Sequence, residues 1–142
     1  MHAILSDPQA MRYWSTLPHA EQSQTDAWLA SMIDAPLATS DDFILERAGE
    51  VIGKLGAWRL PDIGYLLSPS VWGQGYASEA LAAFIAHRRR QSGGDLTADT
   101  DPRNVASNRL LAKHGFVETG RASRTWLVGD EYCDSIYWRL KL

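Results

Sequence analysis

Apolar positions along the chain change period several times, and each change marks an element. From Glu21 to Asp34, Trp28, Leu29, Met32 and Ile33 recur at helical spacing until Pro36 stops the run, which predicts one amphipathic helix. Alternation then takes over. Phe43 to Arg47 and Val51 to Arg59 predict two strands joined by the tight turn Ala48-Gly49-Glu50, and Pro61-Asp62 turns the chain into a third strand, Ile63 to Leu67. Helical spacing returns near Ser78, with Ala77, Leu81, Phe84, Ile85 and the stem of Arg88 on one face and Glu79, Ala83, His87 and Arg90 opposite. Gly93-Gly94 breaks that helix. Leu96 to Asp101 predicts a strand, and Asn104 to His114 a helix that Gly115 ends as its C′ residue. Phe116 to Val128 and Glu131 to Leu142 predict a long antiparallel pair about Gly129-Asp130, with Ile136, Trp138, Leu140 and Leu142 alternating on one face. Ahead of all these, Ser6-Asp7-Pro8 has the form of a helix start, Asp as cap and Pro at the first helical position, followed by Met11, Tyr13 and Trp14, and residues 1–18 are read as a short helical turn or ordered loop.

These elements define an α/β chain, and 142 residues without repeats or linkers make it one domain, residues 1–142. A net charge of -3 argues against a nucleic-acid surface, which needs a concentrated basic face. The basic cluster Arg88-Arg89-Arg90 ends a helix, where it complements the macrodipole and is read as a solvated end. One cysteine, Cys133, excludes internal disulfides and cysteine metal clusters, and the histidines show no ligand spacing, so no metal is expected. No apolar run approaches the ~18 residues of a membrane span, and the N-terminus lacks a basic-then-apolar leader pattern; a reducing cytoplasm is the expected setting.

Candidate chemistry concentrates in Trp72-Gly73-Gln74-Gly75-Tyr76-Ala77, which joins the third strand to the helix beginning near Ser78. Gly73 and Gly75 permit positive φ and close approach of a ligand, while the free N–H groups of the first helical turn face an anion. Phosphate is the expected guest. The absence of Lys-Ser/Thr after the glycines excludes a Walker-type loop, and no third glycine completes a dinucleotide fingerprint.

The stretch resembles the pyrophosphate loop of the GNAT superfamily of N-acetyltransferases, whose Gln/Arg-x-x-Gly-x-Gly/Ala pattern falls on Trp72, Gly75 and Ala77, with Trp in place of Gln or Arg. Ser68-Pro69-Ser70-Val71 before it and Ser78-Glu79-Ala80 after it resemble the branch of ribosomal-protein alanine acetyltransferases. A second block, Asn104 to Phe116, resembles the same branch. The resemblance implies a mixed, mostly antiparallel sheet flanked by helices, lacking here the usual first strand and most of the first helix. It also implies acetyl-CoA as co-substrate and a small-molecule or peptide amine as acceptor. The short beginning is read as a naturally short gene, a misassigned start, or an edge covered by another chain, and a homodimer is expected on that last ground.

Roles follow residue by residue. Gly73, Gln74, Gly75, Tyr76, Ala77 and Ser78 are expected at the pyrophosphate. Tyr65-Leu66-Leu67 is expected to pair its backbone with the pantetheine arm and polarise the thioester, Leu66 and Leu67 serving the core as well. Asn104 is expected to bind pantetheine through its amide, or simply to cap its helix. An alkyl amine of pKa near ~10 must lose a proton before it attacks. Asp62 is the first base candidate, with Tyr65 and His114 behind it, although a carboxylate after Pro is also an ordinary turn residue. The tyrosine that many superfamily members use to protonate the thiolate is replaced by Leu111. Ser107 is the proposed donor instead, against the alternative that it only bonds backbone in the first turn. Transfer is expected by direct attack in a ternary complex, with a coenzyme A binding module that has lost catalysis as the alternative.

Overall fold

The structure, a computed structural model, describes residues 1–91 and 93–142. Alternating apolar positions give β1 (Asp41–Arg47), β2 (Glu50–Arg59) and β3 (Asp62–Leu67), consecutive antiparallel neighbours as short connections require. The β1–β2 turn is Ala48-Gly49, both at positive φ, the two-residue geometry whose twist matches flanking strands. After β3 come a short 3₁₀ turn (Pro69–Val71), α3 (Tyr76–Arg90), β4 (Leu96–Thr100), α4 (Val105–Lys113) and the long hairpin β5 (Val117–Val128) and β6 (Glu131–Leu140). Before β1 lie α1 (His2–Leu5) and α2 (Gln22–Ile33). The six-stranded sheet runs β1-β2-β3-β4-β6-β5, antiparallel except where β3 meets β4. This is the mixed α/β sheet expected from the resemblance.

Helices cover both faces. On one, Leu81, Phe84 and Ile85 of α3 and Leu111 of α4 meet Leu55, Ala57, Ile63, Ile136, Trp138 and Leu140 of the sheet. Burial of each large side chain contributes about 1.5–3 kcal/mol, and this face holds the principal core. On the other face, Ile4, Leu5, Ala10 and Met11 pack with Leu66. Strand alternation makes β3 serve both: Ile63 and Tyr65 belong to the first core, Leu66 to the second.

At Ser6-Asp7-Pro8, expected as a short helical turn or ordered loop, α1 ends and a turn follows, in which Asp7 Oδ1 accepts from the N–H groups of Gln9 and Ala10. Two expectations are corrected. The apolar face of α2 is poorly buried: Ile33 is 81% exposed, and Thr25 is the helix's one buried residue. Arg88 is not solvated, for its guanidinium donates to Asp41 at 3.0 Å and ties α3 to β1. β1 has no neighbour on its outer side among the described residues, and a register irregularity at Leu45/Glu46 interrupts that edge.

Thr25 Oγ1 lies within hydrogen-bond distance of two imidazoles, His2 Nδ1 at 2.7 Å and His19 Nδ1 at 2.9 Å. Burial first, and His2 second, hold the His19 pKa below its usual value; burial and Lys113 do the same for His114. A base whose folded-state pKa is lowered binds protons more readily when unfolded, so stability is whole above about pH 6.5 and declines as the pH falls below it. The urea midpoint is expected to be lower at pH 5.5 than at pH 7.5, and the difference smaller in His19→Asn. Equal midpoints in the native sequence at the two pH values would contradict this.

Candidate active site

β3 is laddered to β2 along its length but meets β4 at one bridge, Asp62 with Thr97. β4 instead pairs fully with β6, from Leu96–Leu140 to Thr100–Ile136. Beyond the bridge the two parallel strands have no common ladder, and the backbone of β3 facing β4 is left to find other partners. A cleft of about 580 Å³ opens there, between the chain leading into α3 and the chain leading into α4. Tyr65, Leu66 and Leu67 form one wall and Asn104 to Ser107 the other. Leu66 and Leu67 are also buried core residues.

The glycine loop closes one end. Trp72 Nε1 donates to Leu67 O at 2.9 Å and Gln74 Nε2 to Ser70 O at 3.0 Å, which fastens the loop while leaving its glycines bare. Gly73 has φ +73° and Gly75 φ +91°, and a Cβ at either would meet nothing within 4 Å. That open space faces the start of α3, whose N-cap Gly75 offers no side chain to the orphan N–H groups. Gly73, Gly75, Tyr76, Ala77 and Ser78 all line the cleft; Gln74 does not. Ser78 Oγ is 2.8 Å from His114 Nε2 and accepts from Lys113 Nζ at 3.1 Å, so the C-terminal end of α4 brings a cation to this corner. Bare glycines, an uncapped helix start and a cation suit a pyrophosphate, and the unpaired strand edge suits an amide-bearing arm.

One hydrogen bond spans the cleft from wall to wall. Tyr65 O–H and Ser107 Oγ are 2.5 Å apart, joining β3 to the first turn of α4. Burial pushes the Tyr65 pKa up to about 12, against the opposing hydrogen bond to Ser107, so the phenol stays protonated at neutral pH. Asn104 Oδ1 accepts from Ser107 N–H at 3.2 Å. Asn104 therefore caps α4, and its amide nitrogen is the group left for a ligand. Asn108 accepts from Thr100 Oγ1 at 2.6 Å, and Trp138 Nε1 donates to the same hydroxyl, fixing the start of α4 over β4 and β6.

Asp62 stands apart. It is three residues before Tyr65 and so projects from the opposite face of β3, where it lines a second cavity and accepts from Thr97 Oγ1. Leu111 is fully buried in the core and His114 lies outside the cleft lining. Sequence reading missed Arg12, Tyr13, Trp14 and Arg103, all on the cleft wall. Arg103 is fixed by Asp101 at 2.7 Å and by Glu131 at 2.5 Å, and the Asp101-Pro102-Arg103 spacing is a local signal from which it could have been read.

The site is thus a cleft where two parallel strands part, with a glycine-started helix at one end and a phenol–hydroxyl pair at the gap. The profile of the Acetyltransferase (GNAT) domain matches residues 1–117, and the chain belongs to that family of N-acetyltransferases. The uncharacterized protein YkkB of Bacillus subtilis is 30% identical over 138 residues, 87% of this chain and 76% of the relative. Two solved structures share the fold. One is the Salmonella typhimurium acetyltransferase that modifies the N-terminal serine of ribosomal protein L7/L12, at TM-score 0.84 and 18% identity, covering 97% of this chain and 84% of that one. The other is spermidine N-acetyltransferase of Vibrio cholerae in complex with CoA and spermine, at TM-score 0.82 and 17% identity, covering 99% and 86%.

Proposed function

We propose that the protein moves an acetyl group from acetyl-CoA to a primary amine by direct attack, with both substrates held at once. The observation that carries this reading is the gap between β3 and β4, bordered by the Tyr65–Ser107 pair and ended by the loop Gly73 to Ser78. Bound acetyl-CoA would supply an activated thioester. Backbone N–H groups of Gly73 to Ser78 would hold its pyrophosphate, and the free edge of Tyr65-Leu66-Leu67 with the Asn104 amide would hold its arm. No cysteine lines the cleft, which favours transfer without an acyl-enzyme; Cys133 sits in β6 beside Arg103.

Tyr65 donates to Ser107 Oγ, which frees the Ser107 proton for the departing sulfur. Full transfer from a phenol of pKa about 12 to a thiolate whose acid has a pKa near ~8.5 is uphill by about 5 kcal/mol. The pair therefore stabilises developing charge by hydrogen bonding, and the proton that the attacking nitrogen sheds on becoming an amide is the one that reaches the thiolate, through water. The incoming ammonium must lose its proton on the other side of β3. Asp62 faces that side, and it receives the proton through water.

Ser107→Ala is expected to lower kcat about tenfold or more with little change in acetyl-CoA affinity, because the bond is worth most as the sulfur departs. Thiol release with a panel of amines reads this. A folded Ser107→Ala protein with full turnover would remove Ser107 from the mechanism, and a native protein that binds acetyl-CoA but releases no thiol with any amine would leave a binding module.

A further inference from the structure

Two smaller cavities adjoin the cofactor cleft, and one side chain borders all three. The second, about 380 Å³, has Trp28, Trp58, Asp62 and Lys54 in its walls. The third, about 220 Å³, lies between β4 and the last hairpin, lined by Asp99, Thr100, Trp126 and Asp134. Trp14 is in the wall of each. Its ring covers Gly64, where an added Cβ would lie 3.6 Å from Trp14 Cη2, and Lys54 Nζ stands 5.8 Å from the ring centroid. Gly64 is the residue before Tyr65, so the indole sits one residue along β3 from the phenol bonded to Ser107. The third cavity shares Arg12, Tyr13 and Trp14 with the cofactor cleft, whereas the second shares Trp14 alone. An amine bound in the third cavity therefore adjoins the cofactor cleft along three residues; the second cavity, which holds Asp62, meets the third at Trp14, Ser15 and Gly64, and of these the indole alone is bulky enough to keep an amine chain from the second cavity while water still passes to Asp62.

We infer that Trp14 is the specificity-determining residue for acceptor size. This inference rests on the acetyl-transfer reading. A volume of 220 Å³ equals that of about seven waters, at ~30 Å³ each in the liquid, which admits a short amine chain and excludes a bulky one. Removing the indole joins the third cavity to the second, provided the surroundings do not collapse onto the space. Trp14 also packs against Ile4, Leu5 and Met11, so Trp14→Phe, which keeps a ring there, accompanies Trp14→Ala.

The test compares primary amines from ethylamine to hexylamine and phenethylamine, at saturating coenzyme. One arm reads amine binding by NMR to the protein filled with coenzyme A; the other reads thiol release from acetyl-CoA. The native protein is expected to favour the short amines. In Trp14→Ala the preference for phenethylamine over ethylamine should rise at least tenfold, and in Trp14→Phe by a smaller factor. Folded variants that keep the native size profile in both arms overturn the inference. A shifted binding profile supports Trp14 even if no protein releases thiol, and in that case it is the transfer reading that falls.

Discussion

Lys54→Met is expected to lower folding stability by about 3–5 kcal/mol, the usual cost of removing one partner of a buried ion pair. Lys54 Nζ lies 2.7 Å from Asp42 Oδ1, with side chains only 4% and 2% exposed. The contact is Coulombic, for neither Asp42 oxygen has a well-angled hydrogen bond, so nothing else compensates the carboxylate once the ammonium is gone. Burial already holds the Lys54 pKa below its usual value despite Asp42, which shows how strongly the site opposes a lone charge. The double variant Lys54→Met with Asp42→Leu should regain most of the loss, since an apolar pair of similar volume is often neutral. Urea denaturation of the three proteins decides it. A loss under about 1 kcal/mol in Lys54→Met would mean that water reaches Asp42.

The second large effect is on cofactor affinity. Gly75→Val should weaken coenzyme A binding at least tenfold, about 1.4 kcal/mol, while the protein stays folded. The reason is local. At φ +91° a β-branched residue is strained by about 1–3 kcal/mol, yet a Cβ there would touch nothing in the protein within 4 Å. The side chain would stand in the open space beside the first turn of α3, where the ligand's phosphates are proposed to lie. Calorimetric titration measures the affinity and a thermal melt the fold; native affinity in Gly75→Val would remove this loop from the binding site.

How much of this was legible in the sequence depended on whether its cause was local. The face of α3 that carries Leu81, Phe84 and Ile85 and the Gly115 stop follow from spacing and backbone conformation a few residues wide, while the helix expected from near Ser78 begins at Tyr76 with Gly75 as its N-cap. Arg88 was misread because its partner, Asp41, is 47 residues away and no local pattern connects them. The Lys54–Asp42 pair was invisible for the same reason, a lysine in an alternating strand being ordinarily solvated. In the site, the glycine loop is a local pattern, and Gly73, Gly75, Tyr76, Ala77 and Ser78 line one cleft with Asn104 and Ser107. Asp62 was the first base candidate and Tyr65 an alternative for the same role, whereas their odd separation in a strand sends them to opposite sides of the sheet. Trp14 could not be singled out, because its place depends on Gly64 and Lys54 arriving from two different strands.

That odd separation gives β3 a division of labour. In the proposed reaction Tyr65, on one face, attends the departing sulfur and Asp62, on the other, the incoming amine. Substitutions around Asp62 could then change the amine while those around Tyr65 left the chemistry of release in place. A single-residue insertion or deletion in this strand has no such freedom, because a slip of one position exchanges every side chain between the two faces.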